Sequence, residues 1–522
     1  MPKFKFPFQD LETIPKLIKD FLQQEIPQFS AYQFTLENAL LQAEKKAHNY
    51  TLEQRKILVE VLRAQHQHLD LSAKQSQHLD LLLSENTFTV TTGHQLNLFS
   101  GPVFFVYKIL QTIKTADFLT QNSDKNFVPI FWLATEDHDF EEINHFKTTN
   151  GFYQVKGNSG GAVGRIIIED NSFLEEFEKE FKDDVFGTQL ILLAKKAYQK
   201  GRTFTEATQI LVQEIFAEFG LLMIDGDDVL LKNQMQNIFK EELVNQTTHY
   251  FSQENVKFLT EKYGKVQVNP REINLFYLSD TRNRIEFDGE QFQIVDKNLT
   301  FTLEELAEDW SKISPNALLR PVFQEKVLPN IAYIGGNAEI MYWLEMPKVF
   351  EKFGVEFPLL VPRNSMLFLR KKTLDKIEKS GVALQDFLGD FQKFLNQKLL
   401  KESELNADLE NREQLLKENF EILKNKASLT AVTFRNMVEA EETRQLKSFQ
   451  KFKKRLLRAE KILHADKIDY LQRLYSEIHP ANNWQERSLN FSVFFAENGE
   501  KWLENCYQEM EVLNSVLIVS EF

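Results

Sequence analysis

The sequence predicts an α/β protein with a Rossmann-like parallel-sheet core, inserted connecting subdomains and a long C-terminal antiparallel helical coiled coil. Three observations lead there. Apolar runs of strand length, VPIFWLAT, NIAYIGG and FPLLVP, each end abruptly in polar residues, and runs without alternation read as strands buried on both faces of a parallel sheet. Helix-period segments lie between such runs, as the crossovers of parallel strands require. From about residue 370 to 475 there is no proline and only Gly381 and Gly389 as breakers, so long helices can run without interruption.

In chain order, residues 1–85 read as an N-terminal helical layer, because LETIPKLIKDFLQQ and LEQRKILVEVLRAQHQHLDL repeat apolar residues every three or four positions. Residues 86–150 form the first part of the core: TFTVTT up to Gly93 as a strand, a helix opening at Gly101-Pro102, then VPIFWLAT. A helical connecting region, 151–220, starts with the glycine-rich KGNSGGAVGR, and 221–228 is a core strand, LLMID, ending in Gly226, Asp227 and Asp228. Residues 229–315 form a second insertion with antiparallel strands INLFYL, RIEF and FQIV, the turn Asp288-Gly289 among their separators. The core resumes over 316–369. Over 370–475 a helical hairpin is expected, with seams through Leu405, Leu409, Arg412, Leu416, Asn419 and Leu423 and through Leu446, Phe449, Lys453, Leu456, Glu460 and Leu463, turning near Ser428 to Thr430. A C-terminal helical segment, 476–522, closes the chain.

The formal net charge of −14 over 522 residues speaks against a nucleic-acid partner, which needs a basic face. No apolar run approaches the roughly 18 residues of a membrane span, and MPKFKFPFQD lacks the apolar stretch of a signal peptide, so a cytoplasmic protein without a membrane partner is expected. Cys506 is the only cysteine; it excludes an intrachain disulfide and a cysteine zinc site, and reads as a structural thiol. The basic run from Lys447 to Lys461 reads as a solvated helix face or as a phosphate or nucleotide contact.

Four segments carry a family resemblance: TTGHQLNLFSGPVFFVYKILQTIKTA, VPIFWLATEDHDFEEINHF, SPNALLRPVFQEKVLPNIAYIGGNAEIMYWLEM and FPLLVPRNSM. In their motifs and order they resemble the BshC family, the cysteine-adding enzymes of bacillithiol synthesis. The resemblance implies a Rossmann-type core with insertions related to those of nucleotidyltransferase-like proteins. It also implies a coiled coil that supports a homodimer, and attachment of L-cysteine to glucosaminyl malate.

The strand ends supply the candidate site residues. The loop Gly93 to Gly101 joins a strand to a helix, so free amides with His94, Gln95, Asn97 and Ser100 can bind a carboxylate or phosphate, the competing reading being a tight turn that packs the helix; Tyr107 and Lys108 follow in the helix, facing the site, the core or solvent. Glu136, Asp137, His138 and Asp139 suit proton transfer, with Asn144 and His145 as an outer ring; the competing reading has Asp137 or Asp139 capping the next helix. Gly335, Gly336 and Asn337 allow close approach, and Glu339 and Tyr342 share a helix face that can hold an ammonium group. Arg363, beside Asn364 and Ser365, is a carboxylate clamp or a structural ion pair. The cluster Asp225 to Asp228 can assist Mg-ATP, and Gly157 to Gly164 is either a phosphate cradle or a surface loop.

Joining a free carboxylate to an ammonium is unfavourable in water, so a ligase must activate cysteine, and ATP or another nucleotide with magnesium is expected. The chain has neither a GxxxxGK phosphate loop nor a GxGxxG fingerprint to place it. No metal ligand is assigned, since no second histidine stands at ligand spacing. The alternatives are a metal-dependent hydrolase or nucleotidyltransferase-like enzyme, and a non-catalytic dimeric scaffold.

Overall fold

The computed structural model describes residues 4–157 and 159–522. They divide into two compact units, one of residues 4–10, 14–368 and 483–521, the other of 11–13, 369–482 and 522.

The first unit is built on five strands: β1 (Thr87–His94), β2 (Asn126–Leu133), β3 (Leu222–Asp225), β4 (Asn330–Gly335) and β5 (Leu359–Pro362). They form one parallel sheet in the order β3-β2-β1-β4-β5. Connections run outward in both directions from β1, and in such doubly wound sheets a crevice opens between the two directions at the carboxyl ends. Burial of both faces explains the composition of the strands. Phe88, Val90, Phe127, Ile331, Ile334 and Val361 pack into one core cluster, each burial contributing about 1.5–3 kcal/mol. Two threonines of β1 offset their burial by donating, Thr91 to Asn330 Oδ1 at 2.9 Å and Thr92 to the Ile334 carbonyl at 2.7 Å, whereas the Thr87 hydroxyl is buried without a partner among the described residues. Helix α1 (Phe104–Gln121) connects β1 to β2.

The insertion between β2 and β3 carries the helices Phe173–Phe181, Gly187–Ala197 and Phe204–Phe216, the last started by a capping box of Thr203 and Glu206. The insertion between β3 and β4 contains helices and a five-stranded antiparallel sheet that includes Leu275–Leu278, Arg282–Phe287 and Ile313–Pro315. The Asp288-Gly289 turn forms as its sequence suggests, Asp288 accepting the amides of Glu290 and Gln291.

Both chain ends correct the helical reading. Phe4–Pro7 is a strand and pairs antiparallel with Val516–Glu521. The apolar, β-branched VLIVSE lies beyond the last helix, Glu500–Glu509, and favours the extended state. Cys506 on that helix is fully buried, and burial pushes its thiol well above the ordinary value.

In the second unit α2 (Glu404–Ala427) and α3 (Val432–Leu463) form the antiparallel hairpin. Its seam on α2 differs from the expected line. Asn406, Glu413, Phe420 and Ala427 are the buried positions, while Leu405 and Leu423 face outward. Glu413 is held inside by Lys453 at 2.9 Å across the hairpin. Lys447, Lys451, Lys454, Arg455 and Arg458 are exposed. Among the described residues no helix is long and apolar enough to cross a membrane.

Candidate active site

All five carboxyl ends of the sheet open onto one cleft of about 780 Å³, within the usual range for small-molecule sites. β1 brings Gly93, His94 and Gln95; β2 brings the segment through His138; β3 brings Gly226; β4 brings Gly336 and Glu339; β5 brings Arg363. These segments are far apart in sequence, and the parallel sheet aligns their ends.

The floor is an ion-pair hub. Lys108, buried on α1, lies 2.9 Å from both Glu339 oxygens and donates to the Gly93 carbonyl at 2.5 Å. Tyr333 Oη and the Gly336 amide also donate to Glu339, at 2.9 and 2.7 Å. Burial opposes the charge on Glu339, but Lys108 and these donors hold its carboxyl below the usual range. His94 packs against the rings of Phe104 and Phe105, and burial together with Lys108 pulls its imidazole down to about 4.

The segment after β2 divides its acidic groups among different tasks. Glu136 pairs at 2.8 Å with Lys232, which is buried and also meets Asp227 at 2.8 Å. Asp139 caps the helix Phe140–Ile143, accepting the Glu142 amide at 3.1 Å. Asp137 accepts from Gln95 Nε2 at 2.7 Å and from the His138 amide at 2.7 Å. Of the three carboxylates lining the cleft, it alone has no lysine or arginine at ion-pair distance among the described residues. His138 meets Arg282 of the inserted sheet, Nδ1 to Nη1 3.3 Å. Asp225, buried in the β3 end and bonded by Thr135 Oγ1, has its carboxyl pushed up to about 7 by burial.

The opposite wall is cationic. Arg363 forms a buried two-pronged pair with Glu486, 2.7 and 2.9 Å, and its guanidinium and that of Arg487 lie 5.1 and 5.5 Å from the Phe104 ring centre. Arg320 reaches Gln324 at 3.0 Å. In total Lys108, Arg271, Arg282, Arg320, Arg363 and Arg487 line the cleft against Glu136, Asp137 and Glu339. Arg271, Arg320 and Arg487 make no close ion pair with a carboxylate among the described residues, while Glu339 acts on Arg320 and Arg487, and Glu486 on Arg487, from further away. A chain of net charge −14 thus concentrates positive charge in the crevice at the strand ends, which draws anions in and holds them.

Comparison with known families now has a geometry to attach to. The model described as "Bacillithiol biosynthesis BshC, N-terminal Rossmann-like domain" matches residues 5–364, and "Bacillithiol biosynthesis BshC, C-terminal coiled-coil domain" matches 366–521. The chain belongs to the BshC family. Curated relatives named "Putative cysteine ligase BshC" cover nearly its whole length. That of Flavobacterium johnsoniae is 38% identical, over 98% of both chains; that of Flavobacterium psychrophilum is 36% identical, again over 98% of both. That of Christiangramia forsetii is 36% identical over 99% of this chain and 98% of its own. The enzyme class shared with these BshC relatives is ligase.

Within this BshC fold several residues singled out in the sequence lie elsewhere than expected. The amides at the helix end of the 93–101 loop are engaged within the fold: Phe99 donates to Tyr198 Oη, Ser100 to the Asn97 carbonyl and Gly101 to the Leu98 carbonyl, and beyond the loop Val103 donates to the Leu489 carbonyl. Asn97 and Ser100 are buried in that packing, away from the cleft lining. Tyr107 is a core residue against Trp502, and Ser365 donates to Glu486 at 3.2 Å. Asn144 is buried and contacts His145 and Gln154, outside the lining. Glu339 is saturated by its four donor contacts, so its oxygens serve the floor rather than a ligand ammonium, and Tyr342 lines the cleft beside it. Gly335 and Asn337 flank the lining residue Gly336. The carboxylate that Arg363 clamps is Glu486.

Two further readings change. Asp227 pairs with Arg165 at 2.7 Å and with Lys232, and Asp228 caps the helix Val229–Asn233, so both serve the scaffold. The 157–164 stretch, whose Asn158 lies outside the described residues, donates the Val163 and Gly164 amides to the Asp137 and Thr135 carbonyls at 2.7 and 2.9 Å. It buttresses the acidic segment instead of cradling phosphate. Among the described residues no group of three His, Cys, Asp or Glu is placed to hold a metal ion. The residues that sequence reasoning missed are the arginines at 271, 282, 320 and 487. Of these only Arg320 carried a signal, in the segment ALLRPVF that shares the family motif.

Proposed function

We propose that the protein joins the carboxyl group of L-cysteine to the amine of glucosaminyl malate, forming the amide bond that completes bacillithiol. The observation that carries the reading is the cationic cleft, in which Arg271, Arg320 and Arg487 make no close ion pair with a carboxylate among the described residues. Glucosaminyl malate has two carboxylates and cysteine one, so the ligands bring the anionic charge that these guanidiniums lack. Asp137 is the lining carboxylate without a lysine or arginine partner, and Gln95 holds it in place. Once the sugar ammonium has lost one proton to solvent, Asp137 is the group best disposed to take the second as the amine nitrogen attacks. The C–N bond forms while the bond from the cysteine carbonyl to its phosphate-type leaving group breaks. A nucleotide of the ATP class, with magnesium carried on its phosphates, would supply that activation. The same reading includes a cytoplasmic homodimer joined through the hairpin.

Binding tests the cleft without requiring turnover. Glucosaminyl malate is expected to raise the melting temperature of the wild-type protein. In Arg320→Gln its affinity is expected to fall about tenfold or more, since a charge-assisted hydrogen bond contributes about 1.5–3 kcal/mol. No shift with the wild type, or equal affinity in the folded variant, would remove the assignment.

A further inference from the structure

What His138 can do in the cleft depends on which ring nitrogen holds its proton. Nδ1 lies 3.3 Å from Arg282 Nη1. A guanidinium carries only donors and keeps its charge throughout the working pH range, so Nδ1 must accept and the proton of the neutral ring sits on Nε2. Arg282 is not free to turn away. Its Nε donates to Ser314 Oγ at 3.0 Å, its Nη2 to the Pro315 carbonyl at 2.6 Å, and its guanidinium lies 4.1 Å from the centre of the Phe276 ring. That ring also neighbours His138, at 5.8 Å between centroids. The competing acceptor for an Nδ1 proton, Asp137 Oδ1, is 3.6 Å away and already takes the His138 amide proton. Nε2 has no protein partner among the described residues, and the side chain lines the cleft.

The charged groups facing the ring are Arg282 from the inserted sheet and Asp137 and Asp139 from its own segment. Burial first, then Arg282, draws the imidazole below its ordinary value, and the two aspartates offset this only in part. A neutral imidazole that donates from Nε2 is poorly suited to be a base and well suited to be an electrophilic donor.

We propose that Arg282 is a positioning residue that fixes His138 as an Nε2–H donor to the oxygen of the reacting carbonyl, leaving the amine proton to Asp137. As the nitrogen attacks, the carbonyl π pair moves onto that oxygen, and the Nε2–H bond stabilises the charge without transferring the proton. Collapse restores the C=O bond and expels the leaving group. The identity of the carbonyl rests on the ligase reading; the tautomer does not.

Nitrogen NMR on histidine-labelled wild-type protein, without substrate, is therefore the first test. His138 is expected to show an unprotonated Nδ1 and a protonated Nε2 at neutral pH; a proton on Nδ1 overturns the proposal whatever the activity. In Arg282→Met the ring is expected to lose its fixed tautomer and titrate higher, and Arg282→Lys is expected to restore part of the effect. Unchanged behaviour in a folded Arg282→Met also overturns it. In ligation, His138→Ala is expected to lose about 100-fold, the usual cost of one preorganised donor. His138→Gln, which keeps an N–H but cannot act as a base, is expected to stay within about tenfold of wild type. Equal losses in the two variants would assign the ring to proton transfer instead.

Discussion

At the scale of single residues, the cleft shows how burial and partners separate side chains of one type. Glu136 and Asp137 are neighbours, yet the first is bound to Lys232 and the second only to neutral donors. The buried histidines follow the same logic. His66 donates from Nδ1 to the Leu62 carbonyl at 2.7 Å and accepts the Met223 amide on Nε2 at 3.1 Å, an arrangement only the neutral ring satisfies. Burial pulls it down to about 4 from an ordinary 6.5. Because the unfolded chain takes up this proton near pH 6.5 and the folded chain only near 4, His66 contributes stability that is complete above 6.5 and lost as pH falls through that window. His94 acts with the same sign. Asp225, raised to about 7, acts with the opposite sign, because the folded state takes up its proton first. Urea unfolding between pH 7 and 4.5 is expected to show a smaller acid-side loss in His66→Gln than in wild type; identical slopes would contradict this account.

At the scale of elements, the strand ends were legible because parallel strands are apolar throughout and turn polar where they leave the sheet. Gly93, Glu136, Asp225, Gly335 and Arg363 each mark such a turn. What the helices do with their faces was less legible. Tyr107 and Lys108 are adjacent on α1, but one packs on Trp502 in the core and the other anchors Glu339. On α2 the leucine line suggested a seam one position away from the buried residues, since Glu413 enters the interior through its pairing with Lys453. The leucines left outside, Leu405, Leu415 and Leu423, join Ile422, Leu429 and Val432 as exposed apolar side chains. We propose that this outer face is where a second copy of the chain docks. Light scattering is expected to give a dimer, and replacing Leu423 and Leu429 by lysine is expected to give a folded monomer; a monomeric wild type would contradict it.

At the scale of the whole molecule, the order β3-β2-β1-β4-β5 brings five distant segments to one crevice, and the insertions and C-terminal region complete it. Arg282 and Arg487 arrive from an antiparallel strand and from a segment late in the chain. No local pattern at either position signals a ligand, so their place in the site emerges only from packing. Conversely, Asn97 and Ser100 sit in a motif that looked like an anion loop, and the fold uses the Phe99, Ser100 and Gly101 amides internally. Chain-wide charge pointed away from a nucleic-acid partner, while the fold places six cationic side chains around one cleft.

The most direct test of the ligase reading is to incubate the purified protein with glucosaminyl malate and cysteine, with and without Mg-ATP, and to follow bacillithiol by mass spectrometry. The expected result is product that requires the nucleotide and falls about 100-fold or more in Asp137→Asn, the usual range for loss of a general base. Product formation undiminished in Asp137→Asn, or none from wild-type protein that binds glucosaminyl malate and is supplied with Mg-ATP, would contradict it.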